Sequence, residues 1–306
     1  MDLTMHSIKS VPKQNKSLIF EAIGTQWQID IESKHSIRPI LTENIHQLID
    51  TFDINYSRFR KDSWVWQLNQ EAGSHTLPND AKPLLDLYAI LYKLTDGLVT
   101  PLIGQTLSDA GYDINYSLKP KVLSHPPAWE DVMKIEGSSI ETTQPLLLDL
   151  GAAGKGYLVD KVSNLLDTVA GIQSYCVDAG GDMFYRNLAN KSITVGLEHP
   201  DNIDQVIGIV NLSNRAICGS AGNKRAWPGY HHILNPHTLQ SPTNIKAIWT
   251  IADTTMLADG LSTCLFFVKP QVLAEYNYEY LIIYKDNHYD ISPQFPGELF
   301  TMDKTL

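Results

Sequence analysis

Apolar and polar residues alternate from Leu18 to Ile31 (LIFEAIGTQWQIDI), around Gly24. That period predicts one or two strands flanking the glycine. The period then lengthens: Ile45, Leu48, Ile49 and Phe52 recur at helical spacing, with Thr42 placed to cap the helix. A polar stretch runs from Tyr56 to Asn69. Asp80 opens a second helix with Pro83 in its first turn; Leu84, Leu87, Tyr88, Leu91 and Leu94 form its stripe, and Gly97 stops it. Residues 105–130 read as loop, and Val132 to Ile140 as a hairpin. Leu146 to Leu150 reads as a strand entering a tight turn of small residues, followed by a helix from Tyr157 to Val169. Strands are expected at 175–184, 193–198 and 206–212, a helix from Thr255 to Phe267, and a buried strand from Tyr280 to Tyr284. Helices and strands mix without a regular βαβ period, which predicts an α+β fold. Residues 1–16 read as a flexible tail and 17–306 as one folded unit.

Composition adds exclusions. Hydrophobic residues make up 43% and charged residues 19% of the 306, so a sizeable core is available. The formal charge is −10 and no Lys/Arg block stands out, which argues against nucleic acid as a partner. Cys176, Cys218 and Cys264 are far apart in apolar runs; they read as small buried hydrophobes, not as a disulfide framework or zinc site. No apolar run approaches the about 20 residues of a membrane span, and the first twenty residues lack a signal-peptide core. The expected location is the cytoplasm.

Four stretches carry candidate chemistry. In Leu148-Asp149-Leu150-Gly151-Ala152-Ala153-Gly154-Lys155-Gly156, small residues let the backbone approach a ligand, a helix N-terminus offers N–H groups to phosphate, and Lys155 adds charge. It is not a Walker A loop, because Asp149 and Gly156 stand where that motif needs Gly and Ser/Thr. Taken alone, a plain strand-turn-helix connection explains it equally well. In Met256 to Cys264, Asp259 and Thr263 share a helix face, an oxygen pair suited to Mg²⁺; a capping Asp and a back-bonded Thr are the simpler reading. His231-His232-Ile233-Leu234-Asn235-Pro236-His237-Thr238 puts histidines beside an Asn-Pro turn, suited to nucleotide contact or proton transfer, or else a surface turn. Gly180-Gly181-Asp182 permits close backbone approach or simply forms a bulge.

Taken in order, these pieces resemble the ApbE family of FAD:protein FMN transferases, from about Ile23 to Val268. Ile23-Gly24-Thr25 is similar to the family's Met-Gly-Thr strand, and Tyr56 to Ser63 with Leu68-Asn69 to its S-x-aromatic segment. Thr95 to Thr100 falls at the flavin loop, and Asp149 to Asp160 at "LDLGGxAKGYxxD". Gly180-Gly181-Asp182 matches the GG-acid turn, His232 to Thr238 "HIIDPxTG", and Ala258 to Thr263 "ADAxxT". Ile23 replaces Met, Thr100 an Asp, Ala152 a Gly, Asn235 an Asp and Leu239 a Gly.

The resemblance implies an ApbE-like mixed fold of two intimately packed α/β lobes. It implies transfer of FMN from FAD to a Thr or Ser hydroxyl of an acceptor protein, with Mg²⁺ as cofactor and AMP as product. Asp149 and Lys155 would contact FAD; Phe59 would lie against one of its rings. Ile23 and Leu98, Val99 and Thr100 would line its pocket, with His232 and Ile233 near the pyrophosphate or adenosine. The Ala152 carbonyl, Asp259 and Thr263 would hold the metal. His232, Asp259 and Lys155 are the catalytic candidates, with His232 first as general base. The acceptor would be a redox protein carrying a D-x-x-[ST]-[GS]-A-[TS] segment, which this chain lacks. An FAD pyrophosphatase and a non-catalytic flavin-binding protein are the alternatives.

Overall fold

The computed structural model describes residues 15–300. Most of the expected tail, 1–14, lies outside the described residues; Asn15 and Lys16 already belong to the first strand. The α+β class holds. Seven α-helices occur among the described residues: α1 Pro39–Tyr56, α2 Trp64–Leu68, α3 Ala81–Leu94, α4 Gly104–Asp109, α5 Trp129–Val132, α6 Gly154–Asp167 and α7 Thr255–Cys264.

The frame is an eight-stranded sheet in the order Asn15–Ala22, Thr25–Ser33, Ile172–Ala179, Asp182–Asn187, Ala216–Ala221, Ile245–Ala252, Tyr278–Tyr284 and Tyr289–Ile291, antiparallel throughout. Central strand Ile245–Ala252 shows why it is two-faced. Ile248 joins the core under the helices, while Ala247, Trp249 and Ile251 pack on the other side. That second side is covered by a smaller sheet of Ile193–His199, Asn202–Leu212 and Gly297–Leu299. Period-two alternation therefore sorts side chains between two cores rather than between core and water.

Several expectations need correction. α1 begins at Pro39, with Arg38 as a cap that makes no side-chain bond. Thr42 lies inside the helix, and its hydroxyl accepts from Lys16 Nζ at 2.7 Å. Residues 105–130 contain most of α4 and the start of α5. The run Leu146–Leu150 joins no sheet. It is pinned by single bonds, Leu146 N–H to the Leu68 carbonyl (2.9 Å) and Asp149 N–H to the Pro101 carbonyl (2.7 Å). Gly104 makes that close passage possible, since a Cβ there would land on the Leu147 carbonyl oxygen. The span 175–184 is two strands, split at Gly180-Gly181. All three cysteines are buried and unpaired, as expected.

Candidate active site

α6 and α7 cross at Gly156. A Cβ there would strike the Thr255 carbonyl and lie 2.8 Å from Asp259 Cβ, so only glycine permits this approach. The contact lets Asp259 Oδ2 accept the Gly156 N–H at 2.9 Å. As the third residue of α6, Gly156 has an N–H with no partner inside its own helix, and Asp259 supplies one. Among the described residues no backbone N–H bonds the Ala152 carbonyl, which is left open. The Ala152 N–H is itself fixed by the Tyr88 hydroxyl at 3.0 Å. Burial, Asp149 and Asp259 raise the Tyr88 pKa well above its ordinary value and keep the phenol protonated. One turn beyond Asp259, Thr263 would normally bond back to the Asp259 carbonyl, but Ser262 Oγ occupies that oxygen at 2.8 Å. The Thr263 hydroxyl has no hydrogen-bond partner among the described residues and lines the same cavity as Ala152 and Asp259.

The start of α7 is fixed from α6. Both Asp160 oxygens accept α7 N–H groups, from Thr255 and Met256, each at 2.8 Å. Thr254 Oγ1 accepts a third, from Leu257. Three of the four free donors of that helix end are thus satisfied.

Charge at the crossing is unbalanced. Lys155 Nζ pairs with Asp182 at 2.5 Å and donates to the Ala179 carbonyl at 3.0 Å. Burial works against the Lys155 cation, but Asp182 and Asp259 outweigh it, and its pKa is raised. Asp259 is pushed well above the carboxylate range, first by burial and then by Asp182. Two buried acids thus share one lysine. A divalent cation among the Ala152 carbonyl, Asp259 and Thr263 would let Asp259 ionise beside Asp182, and all three are the hard oxygen donors Mg²⁺ takes. Among the described residues no cluster of three His, Cys, Asp or Glu is placed to hold a metal. A mixed set completed by substrate phosphate and water does not require one.

Another part of the cavity wall is aromatic. Phe59 stacks on Tyr116 (centroids 5.0 Å, 13°), and Tyr112 on Trp227 (5.6 Å, 24°). The Arg58 guanidinium packs against both Phe59 and Tyr112, 4.2 and 4.8 Å from the two centroids. Asp149 is fully engaged: Oδ2 accepts from Arg58 Nε at 2.5 Å and Oδ1 from the Gly151 N–H at 2.9 Å. It therefore anchors the small-residue turn. The Thr100 hydroxyl is also committed, capping a short 3₁₀ turn through the Leu102 N–H. His232 carries a buried Nδ1 with no partner among the described residues. Burial first, then Arg225 and His231, push its pKa down to about 3, so the imidazole is neutral at physiological pH.

One cavity of about 1210 Å³ is lined by Ile23, Phe59, Leu98, Val99, Thr100, Asp149, Ala152, Lys155, His232, Ile233, Asp259 and Thr263. The structure thus brings every sequence-predicted site residue to one place. The ApbE family model matches residues 23–281. The chain belongs to the ApbE family. Two curated relatives named FAD:protein FMN transferase are similar to it. That from Haemophilus influenzae is 27% identical over 92% of this chain and 90% of its own length. That from Treponema pallidum is 26% identical over 80% and 76%. Two solved structures share the fold. An ApbE protein from Thermotoga maritima has a TM-score of 0.82 at 22% identity, covering 92% of this chain and 97% of its own. The flavin transferase ApbE from Vibrio cholerae has a TM-score of 0.74 at 22% identity, with the same coverage.

Measured against ApbE motifs, two departures have visible consequences. Ile23, in place of Met, sits at φ 44, and Leu239, in place of Gly, at φ 57. Both are side chains held in the left-handed region, which glycine tolerates far better. Sequence reasoning gave no role to Arg58, Tyr88, Asp160 or Asp182. Asp182 is 1% exposed and holds Lys155; its place after Gly180-Gly181 was the available signal. Arg58 and Tyr88 carried none, because their partners are 91 and 64 residues away.

Proposed function

We propose that the protein transfers FMN from FAD to a Thr or Ser hydroxyl of an acceptor protein with the help of Mg²⁺, releasing AMP. The observation that carries this reading is the Asp259–Gly156 hydrogen bond. It joins α7 to the small-residue turn and leaves a carbonyl, a carboxylate and a hydroxyl open to one cavity with Lys155. A magnesium ion held by the Ala152 carbonyl, Asp259 and Thr263 would supply positive charge to the diphosphate oxygens. The relatives' names supply the substrate and the group transferred.

The reaction joins the acceptor oxygen to the FMN-side phosphorus and breaks the bond from that phosphorus to the bridging oxygen, which leaves with AMP. Phosphoryl transfer depends mainly on positioning and neutralisation of charge. Lys155, kept protonated by Asp182 and Asp259, offers a fixed cation at the start of α6. His232 lines the cavity as a neutral imidazole and is the candidate to take the acceptor's proton. Its low basicity is partly the effect of Arg225, and the negative charge of a bound diphosphate opposes that effect.

The test is co-expression with redox proteins that carry the flavinylation segment, followed by intact-mass analysis. A gain equal to FMN on one Thr or Ser is expected, with loss of both the adduct and AMP release in Asp259→Asn. Free FMN and AMP formed from FAD at full rate without acceptor would instead identify a pyrophosphatase.

A further inference from the structure

Arg58 is 4% exposed, yet it lines the cavity. Its Nε is spent on Asp149 (2.5 Å) and its Nη1 on the Tyr112 carbonyl (2.7 Å). Its Nη2 is buried with no partner among the described residues. A buried, unmet donor on a charged group is costly and calls for an acceptor. The Asp149 carboxylate already balances the guanidinium, so the pair is neutral and has little pull on a phosphate. Its surroundings are flat and apolar: Phe59, Tyr112 and Trp227, whose own N–H is spent on the Ala110 carbonyl at 2.7 Å. An N–H donor of a neutral pair, buried among aromatic side chains, matches a planar heterocycle with an acceptor atom on its edge.

We infer that Arg58 is a substrate-binding residue whose Nη2 donates to a ring nitrogen or ring carbonyl of the dinucleotide, while Nε and Nη1 hold the side chain rigid. The inference rests on the FAD reading and deepens it: the aromatic end reads ring chemistry, and the α6–α7 crossing reads phosphate. Both rings of FAD, isoalloxazine and adenine, present such acceptors.

The test is equilibrium binding of FAD, FMN, ADP and inorganic pyrophosphate, each with Mg²⁺, to wild type and Arg58→Lys. The lysine keeps a cation beside Asp149 but has no second nitrogen for the ring. FAD affinity should fall about tenfold or more. The loss should recur with FMN or with ADP but not with both, which also says which ring is read, and pyrophosphate should bind as to wild type. Arg58→Gln, which keeps a donor without charge, serves if the lysine variant does not fold. Unchanged FAD binding in the folded variant would overturn the inference. So would an equal loss for FMN, ADP and pyrophosphate, since that pattern means the residue acts on phosphate or only shapes the turn. A wild-type protein that binds no FAD would instead remove the proposed function itself.

Discussion

Ile23 is a β-branched residue in a two-residue hairpin turn, with φ 44 followed by Gly24 at φ 75. Turns of that hand favour Asn or Gly, and the left-handed state costs an ordinary side chain about 1–2 kcal/mol. The strain persists at a cavity wall, where an apolar side chain faces the proposed substrate. Ile23→Asn should therefore raise the melting temperature while weakening FAD binding; a melt and a flavin titration on the same sample read both. His232 has the opposite character. Its folded pKa of about 3 lies below the ordinary 6.5. Between those values the unfolded chain binds a proton that the folded chain does not, so this residue's contribution to stability is lost as pH falls through that window. His232→Gln should flatten that part of the stability–pH curve in denaturant titrations between pH 4 and about 7. At this scale the sequence was legible where chemistry is local, as in Asp259 with Thr263 one turn later. It was silent on Arg58, whose importance comes from Asp149 and Tyr112, brought together only by tertiary folding.

At the scale of elements, the site exists because α6 and α7 touch. Gly156→Ala would force them apart at the Thr255 carbonyl and Asp259 Cβ. Overpacking of this kind costs about 1–3 kcal/mol, and catalysis should suffer more than stability because the Gly156–Asp259 bond is lost. Thermal melts set beside AMP release check this ordering. Asp160→Ala removes two caps of α7 and should cost about 1–2 kcal/mol in a denaturant titration. Helices α1 and α3 were readable from their apolar stripes, and α6 and α7 were also expected as helices. The start of α1 was not, because Arg38 caps it without a side-chain bond while Thr42, the better capping residue type, lies inside the helix. Leu146–Leu150 resembled a strand because it is apolar, but its backbone partners lie in loops and helix ends rather than in a sheet.

The whole molecule places the α6–α7 crossing on one face of the large sheet and a second core on the other. This explains why strands Ala216–Ala221 and Ile245–Ala252 escaped the sequence pattern. Buried on both faces, they show no alternation of polar with apolar residues. No helix among the described residues is long and apolar enough to cross a membrane. The mixed fold was foreseeable from element order, and family motifs foresaw the gathering of distant residues at one cavity; neither could give the unbalanced charge at Lys155, Asp182 and Asp259. That charge adds to the oxygen set of Ala152, Asp259 and Thr263 as grounds for placing a divalent ion there, and a crystal of the FAD complex grown with Mn²⁺ tests the placement directly. An anomalous peak is expected, bounded by the Ala152 carbonyl, Asp259 and Thr263, in contact with the diphosphate and absent in Asp259→Asn. A dinucleotide bound with its diphosphate away from that trio, or a metal peak that survives the substitution, would contradict it.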